Sequence, residues 1–246
     1  MIASYENLCD LIHPHDGNVI SVIGAGGKHT LMYRLSDELV AAGRQVVITT
    51  TTNLHRNAQR CDMTTLVAAE CPQWPKSLAE SISGQGRAVL VASNLGANMY
   101  RGFDPQTIEQ IRAAVPDAVI LAKADGARKR LIKAPGDDEP AHPPRAELCI
   151  LILSLAAIGR ALEDACVHRI ERVRKLTSGD RISPQTLIDV ITGRGGYVCR
   201  LPAKCRAVLY LSCCNTPQAL EHACEIFSAT EDFFDRQICG DTIEGK

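Results

Sequence analysis

The chain has 246 residues, of which 46% are hydrophobic, 22% charged and 4% aromatic, with a formal net charge of -1. That balance suits a globular chain long enough for a full core. It excludes the surplus of Lys and Arg that a nucleic acid or an anionic membrane surface requires.

The eleven cysteines are odd in number, irregularly spaced and without a CxxC pair, which fits a reducing cytoplasm better than a disulfide framework or a zinc or iron–sulfur site. Residues 1–10 show neither the basic nor the apolar region of a signal peptide. The longest apolar run, 148–158, contains Ser154 and falls short of the roughly 20 residues of a membrane span.

Residues 19–23 form a β-branched run that ends in Gly24-Ala25-Gly26-Gly27, and an amphipathic stretch from about 30 to 42 follows, closed by Gly43. This reads as strand, glycine loop, helix and glycine stop. Further buried-strand runs lie at 45–50, 87–92, 118–122, 148–153 and 207–211, with helical patterns at 76–82 and 104–115. Continuous apolar strands alternating with helices predict an α/β fold with a doubly wound, mostly parallel sheet of the P-loop NTPase type. Ser183-Pro184 caps a helix over 185–192 before the glycine-rich turn 193–196, and 217–229 is the last helix. The end, 231–246, is polar enough to fray. With no repeat and no linker, the expectation is a single P-loop α/β domain over 1–246 with a small helical insertion at about 160–200.

The strongest chemical signal is Gly24-Ala25-Gly26-Gly27-Lys28-His29-Thr30, between the first strand and the first helix. Glycines let backbone N–H groups turn inward as an anion nest, the helix start adds its positive end, and a lysine reaches the β- and γ-phosphates. The first glycine of a standard P-loop would fall at Val22, so the match is to a shortened GxxGK form; the competing reading is a tight turn with an incidental lysine. His29 stands where Ser or Thr normally follows the lysine. Imidazole is a poor ligand for Mg²⁺, so Thr30 becomes the candidate hydroxyl. A dinucleotide fold fails, because Lys28 and His29 occupy the place of the third glycine and no acidic residue ends the second strand.

That strand runs instead into Thr49-Thr50-Thr51-Thr52-Asn53. Thr51 and Thr52 are candidate substrate contacts at the carboxyl end of a parallel strand, or else part of a hydroxyl-rich cap. Residues 118–122 deliver Asp125 as a Walker B-type carboxylate for Mg²⁺, although Asp-Gly after a strand is also a common turn. Arg128, Lys129, Arg130 and Lys133 come next, either as a solvated face or as an anion-binding lobe. On residues alone His168-Arg169 is a helix-cap pair, His13, His15 and Asp16 form a solvated loop, and Trp74 packs.

Together the glycine loop, the threonine run, Asp125-Gly126-Ala127-Arg128, Lys133-Ala134-Pro135, Glu139-Pro140, Gly159-Arg160, His168-Arg169 and Ile182-Ser183-Pro184 resemble the YqeC-like family, accessory proteins of selenium-dependent molybdenum hydroxylases. The resemblance covers most of the chain. It implies a P-loop nucleotide-binding protein serving maturation of such a hydroxylase, and it brings His168 and Arg169 towards the site. Three places depart from the family pattern: His29 replaces a threonine, Lys123 replaces a glutamate two residues before Asp125, and Ser212-Cys213-Cys214-Asn215 replaces an NKxD-like guanine-reading element.

The expectation is therefore a cytoplasmic protein that binds ATP or GTP with Mg²⁺. Gly24, Ala25, Gly26, Gly27, Lys28, His29 and Thr30 form the nucleotide loop, with Lys28 and Asp125 as catalytic groups and Thr30 and Asp125 as metal ligands. Thr51, Thr52, Arg128, Lys133, His168 and Arg169 serve an anion or substrate. A hydroxylase or another maturation protein is the partner, and the degenerate metal site leaves hydrolysis open. The alternatives are an ATP-dependent ligase or kinase acting on a small acid, and a catalytically silent nucleotide-binding adaptor.

Overall fold

A computed structural model of the chain describes residues 7–15, 17–56, 60 and 62–241. The elements in chain order are α1 (Leu8–Ile12), β1 (Val19–Gly24), α2 (Lys28–Ala41), β2 (Val46–Thr50), β3 (Leu54–His55), β4 (Thr65–Val67), α3 (Trp74–Gln85), β5 (Arg87–Val91), β6 (Ser93–Gly96), β7 (Met99–Arg101), α4 (Ile108–Ala114), β8 (Val119–Lys123), β9 (Ile132–Lys133), β10 (Leu148–Ser154), β11 (Val167–His168), α5 (Ile170–Leu176), α6 (Pro184–Thr192), β12 (Arg206–Ser212), α7 (Pro217–Thr230) and β13 (Arg236–Gly240).

Eight strands form one sheet in the order β13-β12-β10-β1-β8-β2-β5-β4, and every neighbouring pair is parallel. Strands β1, β8 and β10 are buried at every position, which requires helices on both faces. Alternate residues supply the two layers. Ile20, Val22 and Leu121 pack with Leu31, Leu35 and Leu39 of α2, whereas Val19, Val47 and Ile120 pack with Leu78 and Ile82 of α3 and Ile108 and Ile111 of α4. A third cluster joins β10 and β12 to α5, α6 and α7. The architecture is the doubly wound α/β sheet expected from the apolar runs. No helix among the described residues is long and apolar enough to cross a membrane.

Local chemistry sets the helix ends. Ser183 forms a capping box with Thr186, and Pro184 occupies the first turn of α6. Helix α2 stops in a Schellman arrangement: Gly43 (φ +76°) donates to Val40 O at 2.9 Å, and Arg44 N donates to Leu39 O at 2.9 Å. The helix pattern at 104–115 resolves into a 3₁₀ turn, Pro105–Thr107, followed by α4, with Asp104 accepting from Gln106 N at 2.9 Å.

The fraying expected at 231–246 does not extend to β13. Asp235 Oδ2 accepts from Ala207 N at 2.7 Å, and Arg236–Gly240 then adds a parallel edge strand to β12. Residues 242–246 and Asp16 lie outside the described residues. The region at 160–200 carries α5 and α6 but also β11, which pairs with β9 as a small two-stranded ribbon. A three-stranded antiparallel sheet, β3-β7-β6, stands apart from the main sheet.

The turn from β1 into α2 leaves no room for a side chain at Gly24. A Cβ on Gly24 (φ +99°) would lie 2.0 Å from Ile152 O, whereas one on Gly43 would meet nothing within 4 Å. Both substitutions strain a positive φ, but only the first also collides with backbone. Gly43→Ala should cost about 1 kcal/mol and Gly24→Ala more than about 3 kcal/mol, as read from urea denaturation midpoints. Equal losses would show that the loop can move off β10.

Candidate functional site

Parallel strands bring their carboxyl ends to one edge of the sheet, and the site is built there. The glycine loop leaves β1 and turns against β10. Ala25 N donates to Ile152 O at 2.8 Å, Ser212 Oγ donates to Gly26 O at 2.7 Å, and a Cβ on Gly26 would lie 2.3 Å from Ser154 Cβ. Gly27 (φ +130°) is the N-cap of α2 and gives it no side-chain cap. The first-turn N–H groups of a 14-residue helix are thus left without a side-chain acceptor at the rim of a cleft.

Lys28 is the first residue of α2 and is almost fully buried. Its Nζ donates to Gly24 O and lies 2.9 Å from Asp125 Oδ1. Asp125 is fully enclosed. Its Oδ2 accepts from Gly24 N at 3.0 Å and from the Tyr197 hydroxyl at 3.1 Å, and lies 3.3 Å from Lys133 Nζ. Its Oδ1 has the Lys28 ion pair but accepts no hydrogen bond. Burial pushes the Asp125 carboxyl up, yet Lys28 and Lys133 outweigh it and hold the group below its usual range. Burial lowers Lys28, against the pull of Asp125, and raises the Tyr197 phenol well above its usual value, reinforced by Asp125.

The same network continues outward. Fully buried Lys133 donates to Gly126 O at 2.7 Å and to Glu139 Oε2, which also pairs with Arg169. Burial pushes the Glu139 carboxyl up, but its bonds to Arg169 and Lys133 bring it below the ordinary carboxylate range. Lys28, Asp125, Lys133, Glu139 and Arg169 thus form a continuous chain of alternating charge from the glycine loop to Arg169 in the cleft lining.

Gly26, Gly27, Lys28, His29 and Thr30 line the cleft on the loop side, and Thr52, Arg128, His168 and Arg169 line it elsewhere. Gly24, Ala25, Asp125 and Lys133 lie beneath this surface. Thr51 turns aside, its hydroxyl donating to Ala141 O at 2.7 Å. His29 has a buried Nε2 without a partner; burial, with Lys123 and Lys28 nearby, lowers it to about 3, so it is a neutral imidazole. Burial followed by the cations Lys133, Arg169 and Arg128 also lowers His168. Cys213, from the segment in place of the guanine-reading element, lines the cleft after the end of β12, and one participant escapes a reading of motifs: Tyr197, which follows the glycine-rich turn at 193–196. That turn was the one available signal for Tyr197.

A family model, YqeC protein, matches residues 20–171. The chain is 27% identical over 205 residues to "Uncharacterized protein YqeC" of Escherichia coli (strain K12), covering 79% of this chain and 75% of that protein. Among solved structures, the signal recognition particle receptor FtsY from Elizabethkingia anophelis aligns at 14% identity with a TM-score of 0.40. That alignment takes in 92% of this chain, which spans 61% of the FtsY chain. The Pnkp1/Rnl/Hen1 complex aligns at 10% identity and a TM-score of 0.21, covering 95% of this chain and 81% of that one. The chain belongs to the YqeC family.

Lys123, at the end of β8, lines the cleft and donates to Thr52 Oγ1 and, at 3.0 Å, to Asn53 O. Burial, then repulsion from Lys28, lowers it to about 7 from an ordinary 10.5. The unfolded chain therefore takes up this proton first as pH falls. Stability conferred by keeping Lys123 neutral is present above about 10.5, declines as pH falls to about 7, and is level below. Against Lys123→Met, the natural chain should lose stability between about pH 9 and pH 7, by at most about 1.4 kcal/mol per unit. Urea titrations at several pH values read this difference directly, and parallel curves for the two proteins would contradict it.

Proposed function

We propose that this YqeC-family protein binds a purine nucleoside triphosphate at the glycine loop and serves, in the cytoplasm, the maturation of a selenium-dependent molybdenum hydroxylase. The observation that carries the nucleotide reading is the uncapped start of α2, wrapped by a loop whose glycines cannot carry side chains and which delivers a lysine. Amides at a helix start and a lysine held among them suit a polyphosphate. The hydroxylase connection rests on the shared motifs from Asp125 to Pro184.

In this reading the amides of Gly26 and Gly27 and the first turn of α2 take the β- and γ-phosphates, and Lys28 exchanges Asp125 for phosphate oxygen. Ser212 holds the loop from below through Gly26 O. The segment Ser212-Cys213-Cys214-Asn215 offers no carboxylate to guanine, so ATP binds at least as tightly as GTP.

For Mg²⁺ the donor set is sparse. Among the described residues no group of three His, Cys, Asp or Glu could hold a metal. Two oxygens fit a hard ion: the exposed Thr30 hydroxyl and Asp125 Oδ1, which accepts no hydrogen bond. Thr30 and Asp125 would hold the ion, whose chemistry is to neutralise phosphate charge. Lys28 already brings positive charge to that place.

Calorimetric titration with ATP and GTP tests the reading. Lys28→Ala should weaken triphosphate binding about 30- to 1,000-fold, the cost of about 2 to 4 kcal/mol expected when a desolvated charge partner is removed. An affinity unchanged by the substitution, or a tenfold preference for GTP, would contradict it.

Chelation of Mg²⁺ should weaken nucleotide binding less than tenfold in the natural chain. In the double variant His29→Thr, Lys123→Glu, which supplies the missing hydroxyl and carboxylate, Mg²⁺ dependence and the rate of triphosphate hydrolysis should both rise. Complete loss of binding in chelator by the natural chain would show that Thr30 and Asp125 suffice.

A further inference from the structure

The cleft has a volume of about 1410 Å³, more than the roughly 300–1,000 Å³ of a single small-molecule site. Its charge is also divided. Lys28 and the loop amides form one anion-seeking surface. A second surface is made by the turn after β8, carrying Arg128, Lys129 and Arg130, together with Arg169 beside β11.

Six Lys and Arg residues line the whole cleft against three carboxylates, Glu139, Asp164 and Glu171, and the Glu139 carboxylate is already taken by Lys133 and Arg169. Arg130 donates to Ala165 O at 3.2 Å. Arg128 and Lys129 are exposed, and neither has an ion pair or hydrogen bond among the described residues.

Arg169 is the fixed member of this second surface. The Arg169 guanidinium lies across Gly136, where a Cβ would come within 2.8 Å of its Nη1. Its ion pair with Glu139 fixes one side of the fork. Glu139 is fixed in turn by fully buried Lys133. The β9–β11 pairing of Ile132 with Val167 and of Lys133 with His168 brings the two ends of this wall together. His168, lowered by burial and the surrounding cations, adds a neutral donor or acceptor beside them.

We propose that the wall formed by Arg128, Lys129, Arg130 and Arg169 is a second binding site, distinct from the glycine loop, for the carboxylate or phosphate group of an anionic co-substrate bound together with the nucleotide. The proposal rests on the reading of the loop as the triphosphate site. Arginine forks and a lysine match planar or tetrahedral oxyanions through charge-assisted hydrogen bonds. Arg128 and Lys129 have no ion pair among the described residues, and Lys28 with the loop amides already accounts for a triphosphate, so these two cations are left for a second anion. The ligand class is therefore a small molecule that carries an oxyanion.

The test uses the full chain saturated with a non-hydrolysable ATP analogue and Mg²⁺. Inorganic phosphate and, separately, succinate are titrated in while the amide resonances of Arg128, Lys129, Arg130 and Arg169 are followed by NMR. Saturable shifts at these amides with the analogue still bound are expected. The affinity should fall at least tenfold in Arg128→Gln, Lys129→Gln, whose side chains are exposed, and less than twofold in Lys175→Gln, an exposed cation outside the cleft. The tighter of the two probes identifies the headgroup as phosphate or carboxylate.

Absence of saturable shifts at the wall, displacement of the analogue by the oxyanion, or an equal loss in Lys175→Gln would overturn the proposal. If the analogue itself fails to bind, the nucleotide reading falls. The same titration of the nucleotide-free chain then decides the wall separately: saturable shifts support it and their absence overturns it.

Discussion

The arrangement at the carboxyl edge of the sheet depends on keeping the charge of Asp125 buried. An ionised carboxylate taken out of water costs several kcal/mol unless opposite charges and hydrogen bonds accompany it, and removing one partner of such a group costs about 3–5 kcal/mol. Asp125 has Lys28 on one oxygen and Lys133, Gly24 N and the Tyr197 hydroxyl on the other. Those partners come from the glycine loop, the first turn of α2, β9 and the turn after α6. Three regions of the chain, at residues 24–28, 133 and 197, therefore meet around one carboxylate.

The topology makes that meeting possible. With β1 between β10 and β8 and every neighbouring pair parallel, the end of β8 delivers Asp125 beneath the glycine loop. The end of β10 supplies the backbone against which the loop turns. The β9–β11 ribbon then carries the charge pattern outward, from Lys133 through Glu139 to Arg169. In this arrangement the sheet is a frame that brings Lys28 and the cations Arg128, Lys129, Arg130 and Arg169 to the lining of one cleft.

Much of this was legible in the sequence because short-range physics determines it. Buried strands such as residues 148–153 are continuous apolar runs, and a glycine loop followed by Lys28 marks a strand–helix turn without knowledge of anything distant. Although β4, a three-residue half-buried edge strand, carries none, six of the eight strands of the main sheet and the glycine loop follow from such signals. Strand β13 did not, since Arg236–Gly240 is half exposed at the sheet edge and owes its conformation to pairing with β12. Nor did Tyr197 or the place of Thr51, because what each touches, Asp125 and Ala141 O, is set by tertiary packing. Asp125 and Lys133 could be identified as charged groups near the glycine loop. Their enclosure beneath the cleft surface, with each other as partners, could not be read from spacing.

That enclosure gives the Lys28–Asp125 pair a consequence for ligand choice. In the ligand-free chain Lys28 is committed to Asp125 and Gly24 O, so a ligand gains from Lys28 only the difference between its own interaction and the one it replaces. A weakly charged ligand offers little advantage over a buried carboxylate at 2.9 Å. A polyphosphate presents several anionic oxygens at once, and Lys133 remains to balance Asp125 when Lys28 departs. Discrimination in favour of high negative charge then arises from the pair that must be exchanged, without any additional residue to recognise it. Arg169, part of the cationic surface proposed for a second anion, lies at the other end of the same charge chain. An anion arriving there draws on Arg169, whose partner Glu139 is held by the lysine that also balances Asp125. Lys28 and Arg169 are therefore connected through Lys133, which is fully buried and does not line the cleft.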